Sequence, residues 1–155
     1  MKRLPMVAAA AALMLGLAAG APALAATPPP PGGITLHVEA TAYGPSAQDN
    51  YPYGATDFFG QPLVVGDVAV DPSVIPLRSC LYITGYSSSN LPSGGYYAEA
   101  DDEGNAIQGY HVDLFMNAPE AQVNNFGIQR VTVHVLGPSH DPAASGAAAC
   151  KAYIH

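Results

Sequence analysis

Residues 68–77 read Val68-Ala69-Val70-Asp71-Pro72-Ser73-Val74-Ile75-Pro76-Leu77. A short apolar stretch with two valines suits a strand, and it halts at an aspartate. Pro72 and Pro76 forbid a continuing helix or central strand, so Asp71 stands at a strand end. The same pattern of short strand and abrupt stop recurs on both sides. Ile34, Leu36, Val38 and Ala40 alternate with Thr35, His37, Glu39 and Thr41, the period of two of a strand with one buried face. Further strand candidates are 64–70, 80–86, 96–100, 109–115 and 131–136. Gly, Pro, Ser and Asn cluster between them, notably at 87–95. One helix is expected near Ala118–Asn125, with Asn117 as its cap, Glu120 at the third helical position and Gly127 as its end. Six short strands and one short helix make an all-β domain. A small closed barrel is the expected form, because closure removes exposed sheet edges.

Outward from this block, the ends of the chain read differently. Lys2 and Arg3 precede an apolar run from Val7 to Ala19, and Ala23-Leu24-Ala25 fits the small-x-small rule for cleavage. Residues 1–25 are therefore expected to be a secretory signal peptide. The run is too short and alanine-rich for a membrane span of about 20 apolar residues. No cysteine stands at the expected cleavage point, so no membrane anchor is expected after cleavage. Residues 26–33 form a Pro/Gly-rich spacer, 34–137 the barrel domain, and 138–155 a small-residue tail.

Charge restricts the partners. Cleavage removes two of the five basic residues, leaving Arg78, Arg130 and Lys151 against 12 acidic ones. Such a surface repels nucleic acid and anionic lipid, and it suits a neutral or cationic partner such as a sugar polymer. The two cysteines, Cys80 and Cys150, read as a disulfide in an exported chain, with two free thiols as the alternative. No cofactor is expected. A metal site at His111 and Asp113 would have only two ligands in weak spacing.

Three segments carry aspartates inside otherwise apolar text: Asp71, the run Asp101-Asp102-Glu103-Gly104, and His111-Val112-Asp113-Leu114-Phe115. Asp71 before proline also fits an ordinary turn, and Asp101–Glu103 a solvated loop. Asp113 lies within a strand, where aspartate is disfavoured, and shares a face with His111. It either faces outward into water or is a part-buried acid facing a cleft. In the second case neighbouring carboxylates would raise its pKa, as a general acid requires.

Taken together, T-A-Y at 41–43, A-V-D-P-S-V-I-P-L at 69–77, A-D-D-E-G-N-A-I-Q-G at 100–109, V-D-L-F at 112–115, P-E-A at 119–121 and V-T-V-H-V-L at 131–136 resemble the three-aspartate (3D) domain of bacterial cell-wall lytic transglycosylases. The resemblance runs from about residue 39 to 136 and implies a double-psi β-barrel. Asp71, Asp102 and Asp113 match the three aspartates, and Asp113 takes the place of the catalytic acid. His111-Val112-Asp113 is also similar to the H-x-D strand of expansin and endoglucanase barrels. The sequence departs from the family at Asn105, where a glycine is usual, at Gln108, where a lysine is usual, and at Arg78, where a glycine is usual.

The resemblance implies a secreted or cell-wall enzyme that cleaves the MurNAc–GlcNAc β-1,4 bond of peptidoglycan and leaves a 1,6-anhydro product. Thr41, Tyr43, Gly104, Gln108, Gly109 and His111 would contact the glycan strand, with Tyr51, Tyr53 or Tyr97 as further rings for sugar faces. Asp71 and Asp102 would hold Asp113 and raise its pKa. The full-length enzymes have a second domain that forms the other wall of the groove. Here a partner would have to supply it. A non-catalytic wall-binding or wall-loosening module of expansin type is the alternative, and a two-carboxylate hydrolase a third reading.

Overall fold

A computed structural model describes residues 33–154. The expected signal peptide, and the spacer up to residue 32, lie outside the described residues. Six strands close into one barrel: β1 (Ile34–Tyr43), β2 (Asp67–Val70), β3 (Ser79–Thr84), β4 (Tyr96–Glu103), β5 (His111–Phe115) and β6 (Gln129–Pro138). Their order around the barrel is β1-β5-β2-β4-β3-β6. The β1–β5 and β2–β4 pairs are parallel and the others antiparallel. This is the small all-β barrel that the strand spacing predicts.

The alternation seen in the sequence fills the interior. Val38, Ala40, Val68, Val70, Leu81, Ile83, Ala98, Ala100, Val112, Leu114, Val131 and Val133 are all buried in one cluster. Leu36 packs only against its margin, and Ile34, where β1 begins, is exposed. The strand expected at 64–70 begins only at Asp67, after a turn at Gly66.

Two expectations need correction. The helix, α1, spans only Glu120–Asn124. Pro119 rather than Asn117 precedes its first turn, and Gly127, at φ +62°, follows it. Proline's fixed φ suits a helix start, so Asn117 falls outside. The tail is not merely a small-residue extension. It forms a second short helix, α2 (Gly146–Ala149), and a 3₁₀ turn at Lys151–Tyr153. Cys80 and Cys150 are joined, with Cα atoms 5.5 Å apart, and both are fully buried. A Cβ on Gly66 would meet the Ala147 nitrogen at 2.9 Å, so glycine there lets α2 lie against the barrel.

The tail also covers an acid pair. The β2–β4 register shifts between Val68 and Ala69, leaving Asp101 as the extra residue of a bulge. Asp101 thereby turns inward beside Asp67, and neither is exposed. Asp101 accepts hydrogen bonds from Val68 N–H (3.2 Å) and from Gly146 N–H in α2 (3.3 Å). Asp67 accepts one from Val64 N–H (2.7 Å). Burial pushes both carboxyls up. The charge of Asp67 adds to the effect at Asp101, whereas the hydrogen bond from Asp101 works the other way at Asp67. Burial and the neighbouring acid thus favour the protonated form of Asp101.

Arg78 links the same region to the loop before β2. It stands at φ +65°, where a side chain costs roughly 1 kcal/mol. Its guanidinium lies 3.3 Å from fully buried Glu99, 3.4 Å from the Ala144 carbonyl and 3.6 Å from the centre of the Phe59 ring. These contacts offset the strain and explain how arginine occupies a position that glycine would suit.

Reducing the Cys80–Cys150 bond, or replacing both with alanine, should lower unfolding free energy by about 4 kcal/mol, since 70 residues separate the two. Denaturant titration with and without reductant checks this, and coincident curves would refute it. The acid pair gives a second expectation. Its folded-state pKa values lie above the ordinary carboxylate value of about 4, so the native state holds more protons once pH exceeds that value. Stability should therefore fall as pH rises from about 4 toward neutral. Asp67→Asn should flatten that slope by up to about 1.4 kcal/mol per pH unit. Thermal melts across pH test this, and an unchanged slope in the variant would sink the account of raised pKa values in the pair.

Candidate functional site

The closed barrel sets functional side chains in one row. Across adjacent strands, Thr41 of β1 is opposite Asp113 of β5, Asp113 is opposite Ala69 of β2, and Ala69 is opposite Asp102 of β4. Cross-strand partners project to the same face. Ala69 is the smallest member of the row, and it leaves space between the two acids. A cleft of about 970 Å³ opens there. Asp71, Asp102 and Asp113 all line it, together with Tyr43, Gly104 and Gln108. Asp102 belongs to β4, not to the glycine-containing turn expected from the sequence. The bulge at Asp101 carries the strand on to Glu103.

The three aspartates differ in how fully their oxygens are engaged. Asp71 accepts hydrogen bonds from Gly109 N–H (2.7 Å), Ser73 N–H (2.9 Å) and the Ser73 hydroxyl (2.7 Å). These donors, Gly109 first, hold its carboxyl below the ordinary value. Asp71 thus clamps the turn before β5 to the end of β2. Gly109, at φ +68°, adopts the left-handed conformation this turn requires. Asp102 accepts from the Tyr43 hydroxyl (2.9 Å) and Glu103 N–H (2.9 Å). Burial still raises its pKa, and the charges of Asp57 and Glu103 add to this.

Asp113 has the fewest donors. The Thr41 hydroxyl donates to its Oδ1 at 2.8 Å. Burial pushes the carboxyl up to about 6, opposed by Thr41 and His111 and assisted by the charges of Asp49 and Asp102. His111 Nε2 lies 2.9 Å from Thr41 Oγ1. The one hydrogen of that hydroxyl goes to Asp113, so the ring nitrogen must be the donor. Thr41 and His111 therefore buttress the acid from behind, and Gly109 anchors Asp71. None of these three lines the cleft.

The opposite side comes from the loop between β1 and β2, residues 44–66, which contributes Asp49, Asn50, Tyr51, Tyr53, Asp57 and Phe58 to the lining. Tyr51 and Tyr53, expected as sugar-facing rings, are at its rim. Tyr97 is not there: its ring packs at 4.9 Å from that of Tyr82. Asp49 and Asp57 were not singled out by the sequence. They lie in turn-rich text without strand period, and only the tertiary return of the loop brings them to the cleft. Among the described residues, no group of three or more His, Cys, Asp or Glu side chains is arranged to hold a metal ion.

Residues 67–137 match the family described as the 3D domain. Over 69 residues the chain is 39% identical to the cell wall-binding protein YocH of Bacillus subtilis (strain 168), an overlap of 44% of this chain and 21% of YocH. The lytic transglycosylase MltA of Escherichia coli is similar with a TM-score of 0.45 and 27% identity, over 54% of this chain and 28% of MltA. An expansin of Clavibacter michiganensis gives a TM-score of 0.45 and 23% identity, over 72% of this chain and 53% of the expansin.

The geometry around Asp113 is testable without any substrate. Carbon-detected NMR titration should find its carboxyl with a pKa of about 6. Thr41→Val removes the donor that favours the charged form, so the midpoint should move further up. A midpoint in the ordinary carboxylate range, or a downward move in the variant, would overturn the arrangement.

Proposed function

We propose that this barrel, whose residues 67–137 are a 3D domain, cleaves the MurNAc–GlcNAc β-1,4 bond of peptidoglycan as a lytic transglycosylase. One observation carries the reading. Among Asp71, Asp102 and Asp113, only Asp113 combines a single donor with a pKa raised to about 6. Near neutral pH it thus exists in both forms, as a residue that first gives and then takes a proton requires. Its strand and the Thr41 hydrogen bond fix its direction, so it meets the substrate with little reorganisation.

The chemistry needs only that one group. With Thr41 on Oδ1, Oδ2 presents the acidic proton to the glycosidic oxygen. The C1–O bond breaks, its electron pair goes to the leaving oxygen, and the proton goes with it. An oxocarbenium-like centre develops at C1. The Asp113 carboxylate then removes the proton of the same sugar's C6 hydroxyl. Its oxygen closes on C1 and gives the 1,6-anhydro product without water. The charge of Asp102 keeps the Asp113 pKa high, and Asp71 holds the neighbouring turn. An exported, cell-wall location belongs to the same reading, and the Cys80–Cys150 bond supports an oxidising compartment.

A second reading is a wall-binding module without bond cleavage. Its support is that YocH, with which this chain is 39% identical over 69 residues, is named for cell-wall binding. Both readings share the cleft and differ only in whether Asp113 transfers a proton.

Incubation with purified peptidoglycan and mass spectrometry of the soluble products separates them. Anhydro-muropeptides are expected from the wild type. Asp113→Asn should reduce their release by about two to four orders of magnitude while retaining fold and wall binding. The acid form is needed first, so activity should fall as pH rises through about 6. Asp102→Asn removes a like charge, and should move that limb toward lower pH. Wall binding without anhydro product from folded wild type would leave the binding module.

A further inference from the structure

The cleft is lined by charge of one sign. Asp49, Asp57, Asp71, Asp102, Glu103 and Asp113 all face it, and its lining includes no Lys, Arg or His. Arg78, which lies behind Phe59, is already engaged by Glu99 and the Ala144 carbonyl. Burial and mutual charge push Asp102 and Asp113 up, while Asp71 is held ionised by its donors. Such a cleft imposes a cost on any ligand that brings more negative charge and favours one that brings positive charge.

A second, independent feature points to a ligand with donors. Asp57 is only 5% exposed, and its Oδ1 already accepts from Phe59 N–H (2.9 Å) and Gln61 N–H (2.7 Å). Its Oδ2 is buried with no hydrogen-bond partner, and Asp57 is among the residues that line the cleft. A buried carboxylate oxygen without a donor is costly, and a cationic N–H is its strongest remedy.

The third feature is a pair of rings at the rim. Tyr51 and Tyr53 are 85% and 86% exposed, yet their turn is tightly tied. The Asn50 carbonyl accepts from Tyr53 N–H and Gly54 N–H, both at 2.9 Å, and the Asn50 side chain donates to the Gly44 and Ser46 carbonyls at 2.8 and 2.7 Å. Rings held in this way offer faces to the apolar side of a pyranose and to an ammonium group.

We propose that the cleft selects amine-bearing, N-deacetylated stretches of a β-1,4-linked hexosamine strand over the acetylated strand, and both over strands whose substituents carry free carboxylates. This rests on the glycan reading above and names which glycan the site takes. The rings supply contact common to all three, and the carboxylates supply the discrimination.

Calorimetric titration of the purified protein with three probes tests it: a glucosamine hexamer with charged amines, an N-acetylglucosamine hexamer, and a MurNAc–GlcNAc strand of similar length with free stem-peptide carboxylates. The glucosamine hexamer should bind roughly tenfold tighter than the acetylated one at low salt, and the gap should close at high salt. The carboxylate-bearing strand should bind weakest. Gln108→Lys places a cation on an exposed part of the lining, and should narrow or reverse the order. Equal affinity for all three probes, or tightest binding of the carboxylate-bearing strand, would overturn the charge selection and leave a glycan site standing. Failure of all three to bind a folded protein would remove the glycan reading and this inference with it.

Discussion

Strand β2 is four residues long and wholly buried, and both acid-bearing strands hydrogen-bond to it. It pairs with β5 on one side and β4 on the other, so Ala69 is set between Asp113 and Asp102. Everything chemical in this molecule depends on that placement. A side chain larger than alanine at residue 69 would fill the space between the acids. A longer β2 would leave no strand end from which Asp71 could reach Gly109. The two prolines that stop the strand at Val70 therefore also shape the site. Asp71 then secures the strand's exit to the entry of β5, which bears Asp113.

The second constraint is electrostatic. Asp67, Glu99 and Asp101 are fully buried close to the cleft's own acids, and one of the three has an arginine partner. The remaining negative charge is handled by protonation and by backbone donors. Burial favours the protonated form of Asp101, Asp71 gathers three donors, and Asp102 takes a tyrosine hydroxyl. Asp113 receives the least, so its pKa is set by burial and by neighbouring acids. On the proposed reading, a general acid here would need no special activating residue: it would be the carboxyl left with a single hydrogen bond in a barrel rich in carboxylates.

The sequence made the strands legible because their period of two survives into the barrel: Val38 and Ala40, or Val112 and Leu114, are the same residues that fill the core. Asp113 was legible for the same reason, since an acid inside strand text must face either water or a cleft. Asp102 was harder. The bulge at Asp101 has no local signature, so the acidic run read as a turn although it continues β4. The tail was harder still, because alanine and glycine at 143–149 have no apolar period. Its structure follows from tertiary contacts, namely a disulfide, a hydrogen bond from Gly146 to Asp101 and a close approach to Gly66. Asp57 and Asp49 were invisible for a related reason. Nothing in turn-rich text says which acid the loop will carry back to the barrel.

That loop bears on how one short barrel could hold the proposed extended polymer. A groove needs two sides, and here residues 44–66 rise from the end of β1 to provide the second. The loop is pinned where it meets the barrel, through Phe58 N–H on the Asp101 carbonyl and through Phe59 under Arg78. The bulge that turns the Asp101 side chain inward thus also anchors the loop by its backbone. Arg78 couples the loop to Glu99 in the barrel and to Ala144 in the tail. The tail, the bulge and the cleft wall are therefore one mechanical unit, although they are far apart in sequence. A strand lying on Tyr51 and Tyr53 would press on a wall braced from behind by the disulfide-tied tail, and Asp113 would meet it from a separate, rigid strand. On the proposed reading, grip on one side and a fixed acid on the other would let the same cleft hold a glycan, and cut it where Asp113 transfers a proton.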